Sequence, residues 1–438
     1  MEKRSLILGL GLSGRSAAEL LLGKGEEVLG FDDNLDTLKG SLEPLVAKGL
    51  KLIASPSMLP AMLPGFTELV VSPGVKPSHP IYSRAIEEGC SVIGEVELAA
   101  RYCTGRIRAV GITGTNGKTT TTYLLTHVLN ASGFVARAVG NCGVPLTSQL
   151  MDMPDGSIAV VELSSFQLER LETPFLEAAA LLNITPDHLD RYPSVEAYAR
   201  AKARIRVALQ PGAPLFVNQQ VAIQYSSLFE RAREITFGES READLSISER
   251  VVMRFGAVEY NSVSDYRRVG SDTLIAAYGL ATGLGVAPEA FWASLATFER
   301  PAHRMEVVAN RGGVTYINDS KGTNAASVVH AVQLLEGPIA LIAGGRDKGD
   351  PFDAWREVFR GKVVLVLAIG EAQQKVELSV APDIPVVMCS TLEEAVRRAA
   401  HRVKEGGCVL LSPGCASYDM FKNYEERGMQ FREIVKHI

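Results

Sequence analysis

The stretch Gly111-Ile112-Thr113-Gly114-Thr115-Asn116-Gly117-Lys118-Thr119-Thr120 sets the fold class of this chain. It follows an apolar, strand-like run at 107–110 and leads into a helical pattern over 121–130. A glycine-rich turn between a strand and a helix directs backbone N–H groups at one point, where the helix dipole also favours an anion. Lys118 adds a cation, and the Thr119 hydroxyl suits a Mg²⁺ ion carried by phosphates. The stretch therefore predicts a nucleoside triphosphate site.

The spacing of this loop departs from the usual phosphate loop. That loop has a glycine five residues before Gly117, whereas Ile112 stands there and the glycine comes one residue earlier, at Gly111. The alternative interpretation is a glycine-rich turn that carries a surface lysine. The strand–turn–helix context favours phosphate binding.

Composition indicates an ordinary globular protein of several domains. The 438 residues suit two or three domains of about 150 residues each. Hydrophobic residues make up 46%, charged residues 22%, and the formal net charge is −5. No charge run suggests a nucleic-acid partner, and no apolar stretch approaches the ~18 residues of a membrane span. There is no signal peptide, and the six scattered cysteines lack zinc-ligand spacing, so we expect a cytoplasmic protein with reduced thiols. We expect neither a nucleic-acid partner nor a membrane partner.

Alternating strands and helices divide the chain into three predicted α/β domains. We predict a Rossmann-like N-terminal domain over 1–97, a central P-loop ATPase-like domain over 98–300 and a C-terminal Rossmann-like domain over 301–438. The strand-like runs are 6–8, 28–31, 69–71 and 91–93, then 135–139, 158–163, 178–184 and 215–217, then 314–317, 339–343, 363–369, 386–388 and 409–411. A β-rich stretch at 235–269 and a helical pattern at 272–284 complete the central domain.

The first segment carries a second glycine fingerprint, Gly9-Leu10-Gly11-Leu12-Ser13-Gly14, directly after a strand-like run. Asp32 and Asp33 follow the next strand, about 20 positions on. Taken alone, this pattern predicts a nicotinamide dehydrogenase. Ser72 and Gly74 lie just past a further strand end, where open α/β sheets bind ligands.

Three polar side chains of the central segment are candidates for metal binding or catalysis. Glu162 ends an apolar strand, where a carboxylate can serve Mg²⁺; the alternative is a solvated strand-end acid. His188 lies in a turn with two acids and an arginine, so it either ligates a metal, orients a carboxylate or is simply satisfied within the fold. Lys202 lies on a helical pattern over 195–202, and by composition it is an exposed helix lysine.

Polar or glycine-rich stretches recur in the third segment, at 303–306, 318–324, 344–349 and 412–419. Loops that follow strands converge on one edge of an open α/β sheet. We therefore expect one site here, rich in charged and hydroxyl groups suited to carboxylates and phosphates.

Taken together, these motifs resemble the Mur ligase family, whose members add amino acids to the cytoplasmic peptidoglycan precursor. The motifs that carry the resemblance are 114–120, Asp187-His188-Leu189-Asp190, Asn318-Asp319-Ser320-Lys321 and the closing run. That closing run, Leu411-Ser412-Pro413-Gly414-Cys415-Ala416-Ser417-Tyr418-Asp419 with Asn423-Tyr424-Glu425-Glu426-Arg427-Gly428, is most similar to the member that adds D-glutamate. The motifs occur in family order along the whole chain.

The resemblance implies ATP-dependent ligation of D-glutamate to UDP-N-acetylmuramoyl-L-alanine through an acyl phosphate. It implies that the first domain holds the UDP group and not a nicotinamide cofactor, with contacts from Leu12, Ser13, Asp32, Asp33, Ser72 and Gly74 and, nearer the muramoyl group, Asn141 and His188. Catalytic roles are implied for Lys118, Glu162, His188 and Lys202. Two Mg²⁺ ions are implied on Thr119, Glu162, His188 and Lys202, the last as a carbamate.

The remaining implied contacts belong to ATP and to the amino acid. ATP is assigned residues 114–120, Arg304 and Asp319, and D-glutamate is assigned Thr323, Lys348, Ser417, Tyr418 and Tyr424. The family often carries a His-Asn-x-x-Asn run that contacts adenine, but the corresponding region here reads Val269-Gly270-Ser271-Asp272-Thr273-Leu274-Ile275, so no adenine contact is predicted.

Three alternatives stay open from the sequence. One is an amide ligase of the same fold with another amino-acid acceptor, against which the run at 415–417 argues. Another is a nucleotide-dependent switch or transporter subunit, and the third is the dehydrogenase, which leaves the phosphate loop unexplained. The sequence fixes neither oligomeric state nor domain arrangement; we expect a monomer.

Overall fold

Three β-sheets follow one another along the chain in the computed structural model. The structure describes residues 4–55, 65–103, 105–189, 191–229, 234–248, 251–261, 269–349 and 351–438. Asp190 of the turn at 187–190 lies outside the described residues. Each sheet is mostly parallel, with helices on the connections between strands. The predicted class, α/β with three domains, is therefore confirmed.

The first sheet is wholly parallel, with strand order β3-β2-β1-β4-β5. Its strands are β1 (Arg4–Leu8), β2 (Glu27–Phe31), β3 (Lys51–Leu52), β4 (Glu68–Val71) and β5 (Ser91–Gly94). Its helices are α1 (Leu12–Gly23), α2 (Leu35–Ala47) and α3 (Pro80–Glu87), and α4 (Glu95–Cys103) leads to the next sheet. A Cβ placed on Gly14 would lie 1.8 Å from the carbonyl oxygen of Gly9, so only glycine lets α1 start this close to β1.

The central sheet has nine strands in the order β14-β13-β12-β11-β10-β9-β6-β8-β7. They are β6 (Arg108–Thr113), β7 (Ala136–Gly140), β8 (Ile158–Glu162), β9 (Ala178–Leu181), β10 (Leu215–Asn218), β11 (Glu234–Gly238), β12 (Leu245–Ser248), β13 (Val251–Arg254) and β14 (Ala257–Tyr260). The pairings of β12 with β13 and of β13 with β14 are antiparallel, and the other pairings of this sheet are parallel. The helices are α5 (Lys118–Ala131), α6 (Leu146–Gln149), α7 (Ser165–Leu168), α8 (Val195–Ala203), α9 (Gln219–Gln224), α10 (Ser271–Gly283) and α11 (Pro288–Ser294), with 3₁₀ turns at Arg204–Ala208, Ser226–Leu228 and Leu295–Thr297.

The third sheet has the order β15-β16-β20-β17-β18-β19, and only its edge strand β15 is antiparallel. Its strands are β15 (Glu306–Arg311), β16 (Val314–Asn318), β17 (Ile339–Gly344), β18 (Val363–Ile369), β19 (Val386–Met388) and β20 (Cys408–Leu411). Its helices are α12 (Ala325–Gln333), α13 (Trp355–Phe359), α14 (Gln373–Val380), α15 (Leu392–Arg402) and α16 (Tyr424–Lys436).

Apolar packing links the first two sheets and leaves the third separate. One cluster of buried side chains runs from Ile7 and Leu21 of the first sheet's layer to Leu146 and Phe175 of the central one. The third sheet has its own two clusters, one on each face. Among the described residues, no buried cluster includes side chains from both the central and the third sheet.

Buried hydrogen bonds add to the junction of the first two sheets. Oε1 of Glu95 accepts bonds from the backbone N (2.6 Å) and the Oγ1 (2.7 Å) of Thr147. The Thr147 hydroxyl also lies 2.6 Å from that of Ser16 on α1. Helix α4 runs across residues 97 and 98, so the predicted boundary there falls inside a helix. No helix within the described residues has the length and apolar character needed to cross a membrane.

Candidate active site

The phosphate loop joins β6 to α5, as the sequence predicts. Gly117 precedes the helix with a φ of 81°, a left-handed conformation that favours glycine. The Nζ of Lys118 donates hydrogen bonds to the carbonyl oxygens of Gly114 (2.7 Å) and Thr115 (2.6 Å). Burial lowers the pKa of Lys118, and Glu162 opposes that shift. The ammonium group thus lies over the loop, next to the helix N-terminus that attracts an anion.

Glu162 is a buried acid that contacts the phosphate loop. Its Oε2 accepts a hydrogen bond from Thr119 Oγ1 at 2.5 Å, and its Oε1 accepts one from Asn141 Nδ2 at 2.9 Å. The side chain is only 1% exposed, so the alternative of a solvated strand-end acid is wrong. Burial raises the pKa of Glu162, but Arg304, Lys118 and these hydrogen bonds together lower it below its usual value. A carboxylate next to a hydroxyl is a donor pair that fits Mg²⁺ beside phosphates.

The C-terminal domain closes over this loop through polar contacts. The guanidinium of Arg304 donates to the Thr119 hydroxyl. Ser327 Oγ donates to Asn116 Oδ1 at 2.8 Å, and Asn324 Nδ2 lies 3.3 Å from the same oxygen. The site is therefore assembled from two domains.

Asp319 lies at the end of β16, on the C-terminal side of the site. Ser412 Oγ donates to its Oδ2 at 2.8 Å, and the backbone N of Met305 donates to its Oδ1 at 3.2 Å. Burial raises the pKa of Asp319 to about 6, although Arg304 and Arg300 act in the opposite direction. Burial therefore makes this carboxyl costly to ionise.

A cavity of about 250 Å³ lies between the two domains. Eleven of the predicted site residues line it, namely Thr115, Asn116, Gly117, Lys118, Thr120, Asn141, Glu162, His188, Arg304, Asp319 and Thr323. The cavity thus brings together the phosphate loop, the strand-end acid and two of the third domain's polar stretches, 303–306 and 318–324. Its lining among the described residues includes none from 344–349 or 412–419.

Lys202 is 1% exposed, so its interpretation as an exposed helix lysine is wrong. Its Nζ donates to the carbonyl oxygen of Gly114 at 2.7 Å and lies 4.5 Å from the centre of the Tyr198 ring. Burial, reinforced by the charge of Lys118, lowers the pKa of Lys202 well below its usual value. The helical pattern could not reveal this, because burial of α8 depends on its packing beneath the phosphate loop.

His188 has a left-handed backbone with a φ of 56°, which is uncommon outside glycine and occurs in functional turns. Its ring packs edge-on against Phe166 at 4.9 Å, and its Nε2 lies 3.9 Å from Oδ2 of Asp187. Burial lowers the pKa of His188 despite the attraction of Asp187. A neutral imidazole can ligate a metal, but within the described residues no three His, Cys, Asp or Glu side chains form a group that could hold one.

The residues assigned to D-glutamate are spread around the cavity. Thr323 lines it, whereas Lys348 contacts Asp187 in its wall, and the Tyr424 hydroxyl accepts a hydrogen bond at 3.0 Å from Lys321, another lining residue. Of the other two residues assigned to D-glutamate, Ser417 is 3% exposed and Tyr418 is 66% exposed.

The residues assigned to the UDP group lie at the carboxyl ends of β1, β2 and β4, apart from the cavity. Ser72 Oγ donates to the Gly9 carbonyl oxygen at 2.8 Å. Asp32 Oδ2 accepts from the backbone N of Leu10 at 2.7 Å, which fixes the glycine turn. Asp33 faces His79 at 3.4 Å, and Leu12 is 54% exposed at the start of α1. Ser13 follows it on the same helix, and Gly74 lies beyond β4.

Several lining residues were not predicted to belong to the site. They are Asp187, Val269, Thr273, Arg300, Met305, Lys321, Gly322, Asn324, Ser327, His330 and Ala331. Asp187, Lys321 and Asn324 fall inside the polar stretches 187–190 and 318–324. Arg300, Ser327 and His330 carry no local signal, since they reach the cavity only when the third domain packs against the central one.

Comparison with known proteins covers the chain in three parts. Residues 3–94 match the MurD-like N-terminal domain of Mur ligases, 112–269 match the Mur ligase middle domain, and 303–415 match the glutamate ligase domain of Mur ligases. A relative from Protochlamydia amoebophila, named UDP-N-acetylmuramoylalanine–D-glutamate ligase, is 41% identical and covers 99% of this chain and 98% of its own. A protein of the same name from Caldanaerobacter subterraneus is 37% identical with the same coverage.

Solved structures share the fold at lower identity. The UDP-N-acetylmuramate–alanine ligase of Thermotoga maritima has a TM-score of 0.63 at 16% identity, with 99% of each chain covered. A pseudomurein peptide ligase type C from Methanothermus fervidus has a TM-score of 0.62 at 17% identity over the whole of both chains. Three successive domain matches, and relatives above 30% identity over nearly the full length, lead to one conclusion: the chain belongs to the Mur ligase family.

Proposed function

We propose that this chain joins D-glutamate to UDP-N-acetylmuramoyl-L-alanine and converts ATP to ADP and phosphate. The observation that carries the proposal is the cavity that holds the phosphate loop, Glu162, Arg304 and Asp319 together. The two relatives described above carry the name of a D-glutamate ligase and are 41% and 37% identical over 99% of this chain, which supports D-glutamate as the amino acid.

The chemistry starts from an unreactive carboxylate. Transfer of the γ-phosphoryl group of ATP to a carboxylate oxygen makes an acyl phosphate and releases ADP. The neutral amine of D-glutamate then attacks the carbonyl carbon, the C–N bond forms, and phosphate leaves while the nitrogen loses a proton. Lys118 and Arg304 lie where they can stabilise negative charge on the transferred group.

Magnesium is proposed at Thr119 and Glu162, whose oxygens lie 2.5 Å apart at the phosphate loop. When bound there, Mg²⁺ neutralises charge on the phosphate oxygens. The chain's own contribution is to keep Glu162 ionised, through the lowered pKa described above.

A second Mg²⁺ ion is proposed with His188 and a carbamylated Lys202. Carbamylation joins a neutral lysine nitrogen to the carbon of CO₂ and releases one proton. The buried Lys202, with its lowered pKa, supplies a neutral amine more readily than a surface lysine does. The product is an anionic oxygen donor, which suits Mg²⁺ where an ammonium group does not.

The substrate sites are proposed on either side of the cavity. The carboxyl ends of β1, β2 and β4 are proposed for the UDP group, with Asn141 and His188 nearer the muramoyl end. Thr323, Lys348, Ser417, Tyr418 and Tyr424 are proposed for D-glutamate. We further propose the domain division 1–97, 98–300 and 301–438, a monomer, and a cytoplasmic location.

A phosphate-release assay tests the function directly. The purified chain is given ATP and Mg²⁺ with UDP-N-acetylmuramoyl-L-alanine and, separately, D-glutamate, L-glutamate, L-alanine or a diamino acid. We expect release with D-glutamate only, and none when either substrate is omitted. Equal release without an amine would support the nucleotide switch, and release with another amino acid would support a Mur ligase of different acceptor.

A further inference from the structure

The cavity has two ends, and the phosphate loop lies between them. At one end Asn141 and Glu162 line the cavity, joined to each other by a hydrogen bond. Asn141 follows β7, and Glu162 is the last residue of β8. On this side of the central sheet, α6 meets the first domain through Thr147, Glu95 and Ser16. Because the UDP-linked carboxylate is proposed to reach the cavity from that domain, the γ-phosphate should point to this end. The nucleoside of ATP must then extend towards the opposite end.

The opposite end is built by α10 and α12. Thr273 on α10 adjoins the phosphate loop, because a Cβ on Gly117 would lie 3.2 Å from its Oγ1. Ser327 on α12 contacts the loop directly at Asn116. His330 comes three residues later, about 4.5 Å further along the same helix face. This end is therefore a short wall that leads away from the phosphates.

Two side chains of this wall have the chemistry to hold a nucleoside. His330 packs next to Gly270, whose added Cβ would lie 3.3 Å from the ring carbon Cε1. Arg300 precedes β15 and also lines the cavity. It lies near His330, because its charge adds to burial in lowering the pKa of that ring. Its guanidinium makes no hydrogen bond or ion pair with any of the described residues. Five N–H donors are thus available to a ligand inside the cavity.

We propose that Arg300 and His330 hold the nucleoside end of the bound nucleotide, Arg300 by donating hydrogen bonds to ribose or purine acceptors and His330 by packing against the base. This inference rests on the proposed use of ATP. It assigns a nucleoside contact to a chain whose residues 269–275 lack the His-Asn-x-x-Asn run.

The test compares two ligands with the same number of phosphates. Titration calorimetry measures the Kd of ADP and of inorganic pyrophosphate for the full-length chain. Arg300→Ala should weaken ADP about 10-fold and His330→Ala about 3-fold, while pyrophosphate changes less than about 2-fold. Lys118→Ala should weaken both ligands. Arg397→Ala, an exposed arginine on α15 that pairs with Glu393, should change neither.

Two results overturn the inference. One is an equal loss of ADP and pyrophosphate in Arg300→Ala, which would make Arg300 a phosphate contact. The other is unchanged ADP binding in both variants. Should Arg300→Ala fail to fold by thermal melting, Arg300→Gln replaces it, with the same expected loss. If the unaltered chain binds neither ligand, the proposed function fails, and not this assignment alone.

Discussion

The Nζ of Lys348 lies 3.2 Å from Oδ1 of Asp187, so a lysine of the C-terminal domain is paired with an acid of the central domain. The other carboxylate oxygen of Asp187 accepts a hydrogen bond from Asn324 at 3.1 Å. Burial raises the pKa of Asp187, but Lys348, His188 and Asn324 outweigh it and keep the acid ionised. A carboxylate of the amino-acid substrate would therefore compete with Asp187 for this lysine.

Replacing Lys348 with alanine should raise the KM for D-glutamate by roughly 10-fold to 100-fold, since a charged hydrogen bond is worth about 1.5–3 kcal/mol. The KM for ATP should move much less, and Ser417→Ala should give a smaller effect of the same kind. Steady-state assays with each substrate varied in turn measure both constants. Lys375→Ala, which removes a neighbouring ion pair with Asp347, serves as the control. Parallel increases in both KM values would mean that Lys348 only braces the domain contact.

Lys118→Ala should lower the activity by at least ~10²-fold, because the variant lacks the lysine charge that stabilises the moving phosphoryl group. The fold should persist, since within the described part of the chain the lysine side chain bonds to loop carbonyl oxygens alone. Single-turnover rates measure the loss, and circular dichroism checks the fold. A folded Lys118→Ala protein with normal rates would contradict the assignment of residues 114–120 to the nucleotide.

Lys202→Ala should be nearly inactive and partly recover when a short-chain carboxylic acid is added, because the acid can occupy the place of the carbamate. Removal of bicarbonate should slow the unaltered enzyme. Lys202 also braces Gly114, so loss of activity alone is not diagnostic. The same acid should give no recovery in Lys118→Ala, and normal activity in Lys202→Ala would rule out the carbamate.

Asp319→Asn should stabilise the protein above pH 7 while it impairs catalysis. The folded-state pKa of Asp319 is raised to about 6, above its ordinary value of 3.8, so the folded protein binds the proton more tightly than the unfolded chain. This group therefore costs stability as pH rises through about 6, by an amount on the order of 1–3 kcal/mol.

Urea unfolding of both proteins at pH 5 and pH 8 measures the effect of Asp319. The two free energies of unfolding should lie closer at pH 5, and the asparagine variant should be the more stable at pH 8. Met305 N–H and the Ser412 hydroxyl contact different oxygens of Asp319. Asparagine can keep its single oxygen towards the Met305 N–H, and its NH₂ group can donate to the Ser412 hydroxyl oxygen, so the variant keeps a polar contact at both positions while it loses the charge. A larger gap at pH 5 than at pH 8 would contradict the raised pKa.

Much of the fold and part of the site could be predicted because their signals are local. The phosphate loop and Glu162 follow predicted strands, and such positions fall at one sheet edge. The contact between Arg304 and Thr119 joins residues 185 apart in sequence, and it depends on how one domain packs against another. Arg300 and His330 are hidden for the same reason. Lys202 was misjudged from its helix pattern, because the partner that buries it is a loop some 90 residues away.

The separate apolar clusters of the third sheet have a thermodynamic consequence. Residues that share a continuous core unfold together, whereas a domain joined mainly by hydrogen bonds and ion pairs can unfold as its own cooperative unit. We expect differential scanning calorimetry to resolve two transitions, one for the first two domains together and one for the third. ADP is proposed to contact both units, so its binding should bring the two transitions closer in temperature.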